Sequence, residues 1–184
     1  MLRLFCCLLI ILPCIKGFSQ TDIYEVRTGD VHFFSEAPKE LISASSKQIK
    51  GVLDRRKKTF AFRINISSFT GFNNALQREH FNENYMESNL YPVASYKGKI
   101  IEDVEFNKDG VYEIRTKGKL NIHGIEQERI IKVLLTIKKG KIALASNFTV
   151  MLTDYNIKIP RVVSDKLSPQ IKVTVSASMQ PMSR

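Results

Sequence analysis

The chain has 184 residues, a formal net charge of +10 and three cysteines, the last of which is Cys14. A chain of this length forms one domain with a sizeable core, and its basic surface favours anionic partners such as lipid headgroups. Because no cysteine follows Cys14, disulfides, thiol nucleophiles and zinc–thiolate sites are excluded from the rest of the chain.

The N-terminal segment predicts a secretory signal peptide. Arg3 precedes an unbroken apolar run from Leu4 to Cys14, and Gly17 and Ser19 supply the small residues of a cleavage site. This is the three-part layout of an export signal. The run is too short to cross a hydrocarbon core, which needs about 20 apolar residues. A permanent anchor and a lipoprotein signal at Cys14 are the alternatives.

Cleavage after Ser19 divides the chain into a signal peptide, residues 1–19, and a single domain, residues 20–184. Arg3 and Lys16 leave with the signal and no acidic residue does, so the formal charge falls from +10 to +8. We expect the mature protein to be exported, either to the periplasm or out of the cell. Without disulfides, it must be stabilised by its core alone.

Most of the domain alternates apolar and polar residues with a period of two, which is typical of half-buried strands. The early segments 24–28 and 30–35 are predicted to flank a tight bend at Gly29. Further strands are predicted over 40–46, 48–54, 60–65, 94–100, 112–120, 131–138, 142–150 and 171–179.

Residues 73–87 interrupt this alternation. Leu76, His80 and Phe81 fall at helical spacing, and either of the two asparagines that open the segment can cap the start of a helix. We predict one or two short helices here, inserted between strands as a plug or lid.

Turn-forming residues separate the later strands, at 107–110, 123–124 and 139–140, where Gly, Asn or Asp favours a tight reversal. Short reversals between successive strands indicate antiparallel pairing. Since each strand has one apolar and one polar face, the sheet must close on itself or be covered. The sequence therefore predicts an all-β fold, an eight-stranded antiparallel β-barrel with a short helical insertion. Its interior is either filled by side chains or holds one ligand.

Several inward-facing positions have small residues where a filled barrel would use larger ones. Glycine inside a strand often marks a bend or the close approach of a ligand. The small residues could equally make room for inward aromatic rings, so alternation alone leaves a cavity and a solid core open. The small positions are Ala94, Gly98, Thr116, Gly118, Ser146 and Ala177, and the rings are Phe60, Phe62, Tyr96, Tyr112 and Phe148.

The charged and histidine residues form no recognisable catalytic or metal-binding motif. The basic run 55–58 is interpreted as a solvated hairpin tip, and no aromatic residues interleave with it as a nucleic-acid platform requires. His32, His80 and His123 are far apart in sequence, and no nucleophile or metal-ligand motif surrounds them. We predict no catalytic residue, no metal site and no enzyme. His123 is expected to hold its hairpin by a hydrogen bond, and Asp154 to cap a turn.

Four segments, in chain order between residues 24 and 179, resemble the YceI-like family, which is known for binding polyisoprenoids in a lipocalin-like barrel. Residues 29–38 are similar to its first hairpin, and residues 81–98 to its passage from helix to strand. Residues 118–124 resemble its G-x-L-T-I-H-G hairpin, although Asn121 stands where threonine is usual. Its late signature is matched by Phe148, Asp154, Tyr155, Asn156, Ile157 and Pro160.

This resemblance implies a lipocalin-like barrel whose apolar tunnel holds a long-chain isoprenoid lipid with a polyprenyl or quinone-type tail. The helical insertion would close one end, and a polar head would lie at the mouth, near lysine or arginine. The family has no agreed catalytic residues, so the expectation is an exported carrier or storage protein without a cofactor other than its bound lipid. The residues expected to line the tunnel are Phe60, Phe62, Ile64, Phe81, Tyr96, Ile100, Tyr112, Ile114, Leu120, Val133, Leu135, Leu144, Phe148, Val173 and Val175.

The alternative function is a solid-core adaptor or structural barrel of the cell envelope that binds anionic surfaces through its charge. The partner hypotheses are an isoprenoid ligand, an anionic membrane surface and a second copy of the chain in a homodimer, and nucleic acid is not expected. Adding bulk at Gly98 or Gly118 should distinguish a tunnel from a solid core, because only the tunnel has room for it.

Overall fold

The computed structural model describes residues 21–183, so the signal peptide predicted at 1–19 lies outside the described residues. Within this range no helix is long and apolar enough to cross a membrane. The strands are β1 (Ile23–Glu36), β2 (Leu41–Ser46), β3 (Lys50–Asp54), β4 (Thr59–Asn65), β5 (Val93–Ile100), β6 (Gly110–Ile122), β7 (Ile125–Lys138), β8 (Lys141–Met151) and β9 (Gln170–Pro181). The helical elements are α1 (Ala75–His80), a π-helical turn (Phe81–Tyr85) and the 3-10 turns Ile66–Ser68, Leu152–Tyr155 and Arg161–Val163.

The strands form one antiparallel sheet that closes on itself. Each strand from β3 to β8 pairs with the next, and β9 pairs with β1 from Ser35 opposite Ile171 to Tyr24 opposite Pro181. The short strands β2 and β3 share the other edge of β1, with β2 along its second half and β3 at its start. Because they occupy one position in the wall, the barrel has eight strand positions. The predicted eight-stranded antiparallel barrel with a helical insertion is confirmed.

The two ends of the barrel are built differently. The lower end, which has the β3–β4 and β7–β8 turns, is filled by a cluster of buried side chains that includes Tyr24, Leu53, Phe60, Ile142 and Met179. The upper end is covered by the insertion between β4 and β5 and by the long connection between β8 and β9. The barrel is therefore solid below, whereas its upper part depends on loops for its cover.

The insertion, residues 73–87, is helical as predicted, and we refer to it as the lid. The side-chain oxygen of Asn74 accepts a hydrogen bond from the Gln77 amide at 2.9 Å and so caps α1. The chain continues from α1 into the π-helical turn, where the ring of Phe81 stacks 5.4 Å from that of Phe33 on β1. This contact attaches the lid to the barrel wall.

The first strand differs from the sequence-based expectation. The prediction of a tight bend at Gly29 is wrong, because β1 runs through this residue as one strand with a bulge between Val26 and Thr28. Gly29 is instead required by packing, since a Cβ there would lie 2.6 Å from Cγ2 of Ile49. Ile49, in the short segment between β2 and β3, therefore packs against β1 at the one position where β1 has a glycine.

A pair of glycines lets two neighbouring strands approach closely. Gly98 on β5 lies directly opposite Gly118 on β6. A Cβ on Gly98 would lie 2.5 Å from the Cα of Gly118 and would overlap the carbonyl oxygen of Lys117. Of the two hypotheses left open for the small inward positions, room for a ligand is wrong at these two glycines, because neighbouring backbone occupies the space. Adding bulk here cannot distinguish a tunnel from a solid core.

The basic turn at 55–58 is only partly the solvated tip that the sequence predicts. Arg56 is 76% exposed, but the Arg55 side chain is 12% exposed. Its Nε donates to the carboxylate of Asp22 at 3.1 Å and its Nη1 to the side-chain oxygen of Asn107 at 2.9 Å. Arg55 therefore connects this hairpin to the first described residues and to the β5–β6 loop at the lower end.

His123, in the β6–β7 turn, joins three segments of the upper end. Its Nδ1 lies 3.1 Å from the carbonyl oxygen of Tyr155, and its Nε2 lies 2.6 Å from Oε2 of Glu87. Both partners can accept a hydrogen bond, so a ring protonated on both nitrogens donates to both. The prediction that His123 holds its own hairpin is wrong, because both ring nitrogens bond outside it and connect this turn to the lid and to the β8–β9 connection.

Asp154 has a different role from the predicted turn cap. Its carboxylate faces the guanidinium of Arg129 at 3.8 Å, and its carbonyl oxygen accepts a hydrogen bond from Nε2 of Gln127 at 2.8 Å. Both contacts attach the β8–β9 connection to β7.

Replacing Gly118 with valine should destabilise the barrel, because the new side chain would overlap the backbone of β5. We expect the free energy of unfolding to fall by about 2–3 kcal/mol, the upper part of the range for overpacking, as measured by urea denaturation. Ala145→Val, on the exposed face of β8, is the matched control and should change it by less than about 0.5 kcal/mol. Equal stability of Gly118→Val and the parent protein would contradict the close approach of the strands.

Replacing His123 with alanine should loosen the upper end, because the Tyr155 carbonyl and the Glu87 carboxylate both lose a partner. We expect a loss of about 1–3 kcal/mol in the free energy of unfolding. Hydrogen exchange should accelerate in the lid more than in the β1–β9 pairing. His32→Ala is the control, since the ring of His32 contacts Phe34 on β1. Unchanged exchange in the lid of the His123 variant would show that this connection does not hold it.

Candidate ligand-binding cavity

The interior between the solid lower end and the lid is a cavity of about 550 Å³. Sites for small molecules typically measure about 300–1,000 Å³. The floor is formed by Phe60, Ile100, Ile114 and Leu135, which also belong to the lower cluster, and Phe81 of the lid borders the cavity from above. The structure therefore favours a barrel with a cavity over a filled one.

The cavity wall is formed by the inward faces of the strands, as alternation predicts. Fourteen of the fifteen residues predicted to line the tunnel border this cavity. That they contact a ligand stays a prediction. Those fourteen are Phe60, Phe62, Ile64, Phe81, Tyr96, Ile100, Ile114, Leu120, Val133, Leu135, Leu144, Phe148, Val173 and Val175. Among the small inward positions, Ala94, Thr116 and Ser146 also border it.

Tyr112, the remaining predicted residue, faces inward but lies below the cavity. Its ring packs against the lower cluster, and its hydroxyl donates to the carbonyl oxygen of Lys108 at 3.2 Å. The structure places Tyr112 outside the wall predicted for it. Alternation predicts which face of a strand a side chain takes, but not its height along the barrel axis.

An aromatic cluster fills the space between the lid and β1, and sequence reasoning missed most of it. The ring of Phe33 lies 5.5 Å from Phe69, and the ring of Phe72 lies 5.1 Å from Phe81. Ring pairs at these distances attract beyond simple area burial. Phe33 faces inward together with Val31 and Ser35, two residues away on either side, and could have been found from that period-two pattern. Phe69 and Phe72 follow a 3-10 turn, where no periodicity marks them.

Three hydroxyl groups of the cavity wall already have hydrogen-bond partners. Thr116 Oγ1 donates to the carbonyl oxygen of Ile131 at 3.0 Å, and Ser146 Oγ donates to that of Lys132 at 2.6 Å. The hydroxyl of Tyr96 lies 3.1 Å from the carbonyl oxygen of Thr116 and donates to it. Burial raises the pKa of Tyr96, so this hydroxyl stays neutral at physiological pH. The wall therefore suits a hydrocarbon chain better than a charged group.

The cavity lining reaches solvent-accessible residues on three segments, which we define as its mouth: the β1–β2 turn with the start of β2, helix α1, and the 3-10 turn Arg161–Val163 with the residues that follow it. On one side, Nε2 of Gln77 on α1 donates to Oε1 of Glu40 at 2.5 Å. On the other side, Lys166 and Leu167 border the cavity. Glu40 and Lys166 both remain in contact with solvent. A ligand with a polar head and an apolar tail would thus meet polar groups at the mouth and hydrocarbon below it.

The three histidines lie on three different elements of the fold. His32 lies on β1, His80 in the lid and His123 in the β6–β7 turn. Within residues 21–183, no group of three or more His, Cys, Asp or Glu side chains could hold a metal ion. What the described site can do is bury an apolar chain, with polar contacts available at its mouth.

Solved structures with a similar fold include the following three. A polyisoprenoid-binding domain from Saccharophagus degradans, implicated in plant cell wall breakdown, superposes with a TM-score of 0.73 at 12% identity, covering 89% of this chain and 100% of that one. BcnA from Burkholderia cenocepacia gives 0.67 at 12%, covering 82% and 95%. The YCEI protein of Campylobacter jejuni gives 0.54 at 17%, covering 69% and 74%. At these identities the likeness shows the fold.

Comparison of the sequence with curated proteins gives no match. The model of the YceI-like domain matches residues 25–179. This span includes all four segments whose pattern resembles that family, together with nearly the whole barrel. The chain belongs to the YceI-like family.

Proposed function

We propose that the protein binds a long-chain isoprenoid lipid, with a polyprenyl or quinone-type tail, inside its barrel. The observation that carries this proposal is the apolar cavity of about 550 Å³. Burial of hydrocarbon is favourable by about 0.8 kcal/mol per methylene, so a chain of several isoprene units could bind without a polar contact. The Saccharophagus degradans domain with the same fold is described as polyisoprenoid-binding, which supports this class of ligand.

The polar end of the ligand is proposed to lie at the mouth. The hydroxyl groups of Tyr96, Thr116 and Ser146 already donate to backbone carbonyls, so the wall has little to offer a charged head. At the mouth, the side-chain amide of Gln77 is already bonded to Glu40, whereas Lys166 is exposed and borders the cavity. This arrangement favours a ligand that enters with its tail first.

An exported carrier or storage protein is the role we propose for this binding. The predicted signal peptide at 1–19 supports export to the periplasm or out of the cell. A hydrocarbon chain is poorly soluble, so a barrel that surrounds it would let it cross water. This role requires no catalytic residue and no cofactor besides the lipid.

The alternative of a solid-core adaptor has less support. It required an interior filled by side chains, whereas a cavity separates the lower cluster from the lid. The adaptor hypothesis also relied on attraction to anionic surfaces through a positive net charge. A lipid carrier can have the same attraction, so this property does not favour the adaptor.

The direct test is native mass spectrometry of the mature protein purified without detergent, followed by organic extraction and lipid analysis. A one-to-one adduct that yields an isoprenoid would support the proposal and identify the ligand. An empty protein that also takes up no added polyprenyl lipid would overturn it.

Filling the cavity should remove binding without unfolding the barrel. Val133 and Val173 are half-buried residues of the cavity wall. The double variant Val133→Trp with Val173→Trp would place two indole rings where the hydrocarbon chain is proposed to lie. We expect the affinity for a polyprenyl lipid to fall at least tenfold, equivalent to about 1.4 kcal/mol, in a titration followed by native mass spectrometry.

Val111→Trp is the matched control, because Val111 lies on the exposed face of β6. It should bind as the parent protein does, and urea denaturation should show a cooperative transition for each variant. Equal lipid uptake by the cavity variant and the control would place the ligand elsewhere.

A further inference from the structure

Three exposed apolar side chains surround the cavity mouth. Leu41 at the start of β2 is 57% exposed, Leu76 on α1 is 57% exposed, and Val162 is 84% exposed. Each lies on one of the three segments that frame the mouth. Single exposed apolar residues are ordinary on a protein surface, but their grouping around the opening of an apolar cavity marks a candidate interaction surface.

Hydrogen bonds hold the three segments together as one surface. The side-chain amide of Asn73 beside α1 donates to the carbonyl oxygen of Leu41 at 3.0 Å, in addition to the Gln77–Glu40 bond. The amide of Lys39 donates to the carbonyl oxygen of Asp165 at 2.9 Å, which joins the β1–β2 turn to the segment after Val162. The apolar side chains are therefore presented on a connected frame.

The charges of this frame favour an anionic partner. The carboxylate of Asp165 pairs with Lys39 at 2.5 Å, and that of Glu40 accepts the Gln77 bond. Among the described residues, Arg161 and Lys166 have no carboxylate within ion-pair distance and are exposed. On α1, Glu79 is exposed without an ion pair, but Arg78 stands next to it in the chain. Counting Lys39, Arg78, Arg161 and Lys166 against Glu40, Glu79 and Asp165, the frame has a net charge of +1, and its surplus cations lie in the segment 161–166.

We propose that this surface, the docking rim of Leu41, Leu76, Arg161, Val162 and Lys166, places the cavity mouth against an anionic phospholipid bilayer. Apolar side chains flanked by cations insert into the boundary between headgroups and acyl chains, and anionic headgroups attract the cations. The proposal rests on the proposed function, because a hydrocarbon ligand would then pass between bilayer and cavity without crossing water.

The outer wall of the barrel is the competing surface, since lysines also line β5 and β6. Many of these already have acidic partners: Lys119 lies 3.0 Å from Glu126, and Lys117 lies 3.0 Å from Glu128. Lys97 shares Glu126 at 3.9 Å. If the protein adsorbed to membranes through its net charge alone, the outer wall and the docking rim would contribute equally. Docking through the rim instead requires the residues around the cavity mouth.

The test is flotation of the mature protein with vesicles of phosphatidylcholine, with and without phosphatidylglycerol. The rim variant combines Leu41→Ser, Val162→Ser and Arg161→Glu, three residues outside the cavity wall. The matched wall variant combines Val111→Ser, Leu134→Ser and Lys99→Glu, which changes the charge and the exposed apolar surface by comparable amounts. We expect the rim variant to bind anionic vesicles at least tenfold less than the parent protein, and the wall variant to bind within twofold of it.

A second measurement separates this proposal from the proposed function. Detergent-solubilised polyprenyl lipid should be taken up normally by the rim variant, because its cavity wall is unchanged. The variant with Val133→Trp and Val173→Trp should still float with anionic vesicles, whether or not it binds lipid. Flotation of the rim variant at the level of the parent protein, or an equal loss in the wall variant, would overturn docking through the rim and leave adsorption by net charge.

Discussion

Closure of the sheet through the pairing of β9 with β1 is the constraint on which the rest of the structure depends. It removes the inward apolar faces from water around the whole circumference and leaves neither strand with a long open edge. Once the sheet is closed, only the two ends still have to be covered. Side chains such as Tyr24 and Met179 cover the lower end, and the lid and the β8–β9 connection cover the upper one.

The cavity follows from how far the side chains reach across this closed wall. An eight-stranded barrel is just wide enough for large side chains to fill, and they do so in the lower half. In the upper half Ala94, Ser146 and Val173 stop short of the axis. The side chains around an unfilled apolar space lack the packing contacts that they would have in a filled core, and this lowers stability. A ligand that occupies it should therefore stabilise the folded protein in proportion to its affinity and concentration.

The lid links the cavity to the surface around its mouth. Phe81 of the lid packs into the aromatic cluster with Phe33, whereas Leu76, less than two turns earlier, reaches solvent at the rim. Apolar contacts hold the lid on the side of β1, and the Glu87–His123 contact holds its other end. These two attachments differ in kind, because the aromatic contacts can be replaced by an apolar ligand or an acyl chain, whereas the His123 contact requires its own partners.

Local patterns in the sequence determined much of this protein. Period-two alternation located the strands and their inward faces, turn residues placed the reversals, and the segments resembling the YceI-like family indicated the barrel that the structure contains. Alternation does not show how far along the barrel axis a side chain lies. The sequence-based prediction therefore assigned Tyr112 to the cavity, although the cavity lies above it. Only the closed tertiary structure brought Gly98 opposite Gly118 and joined Phe69 and Phe72 to the lid. Those contacts depend on strand register and loop position, which are long-range properties, whereas the strand period is a property of each segment alone.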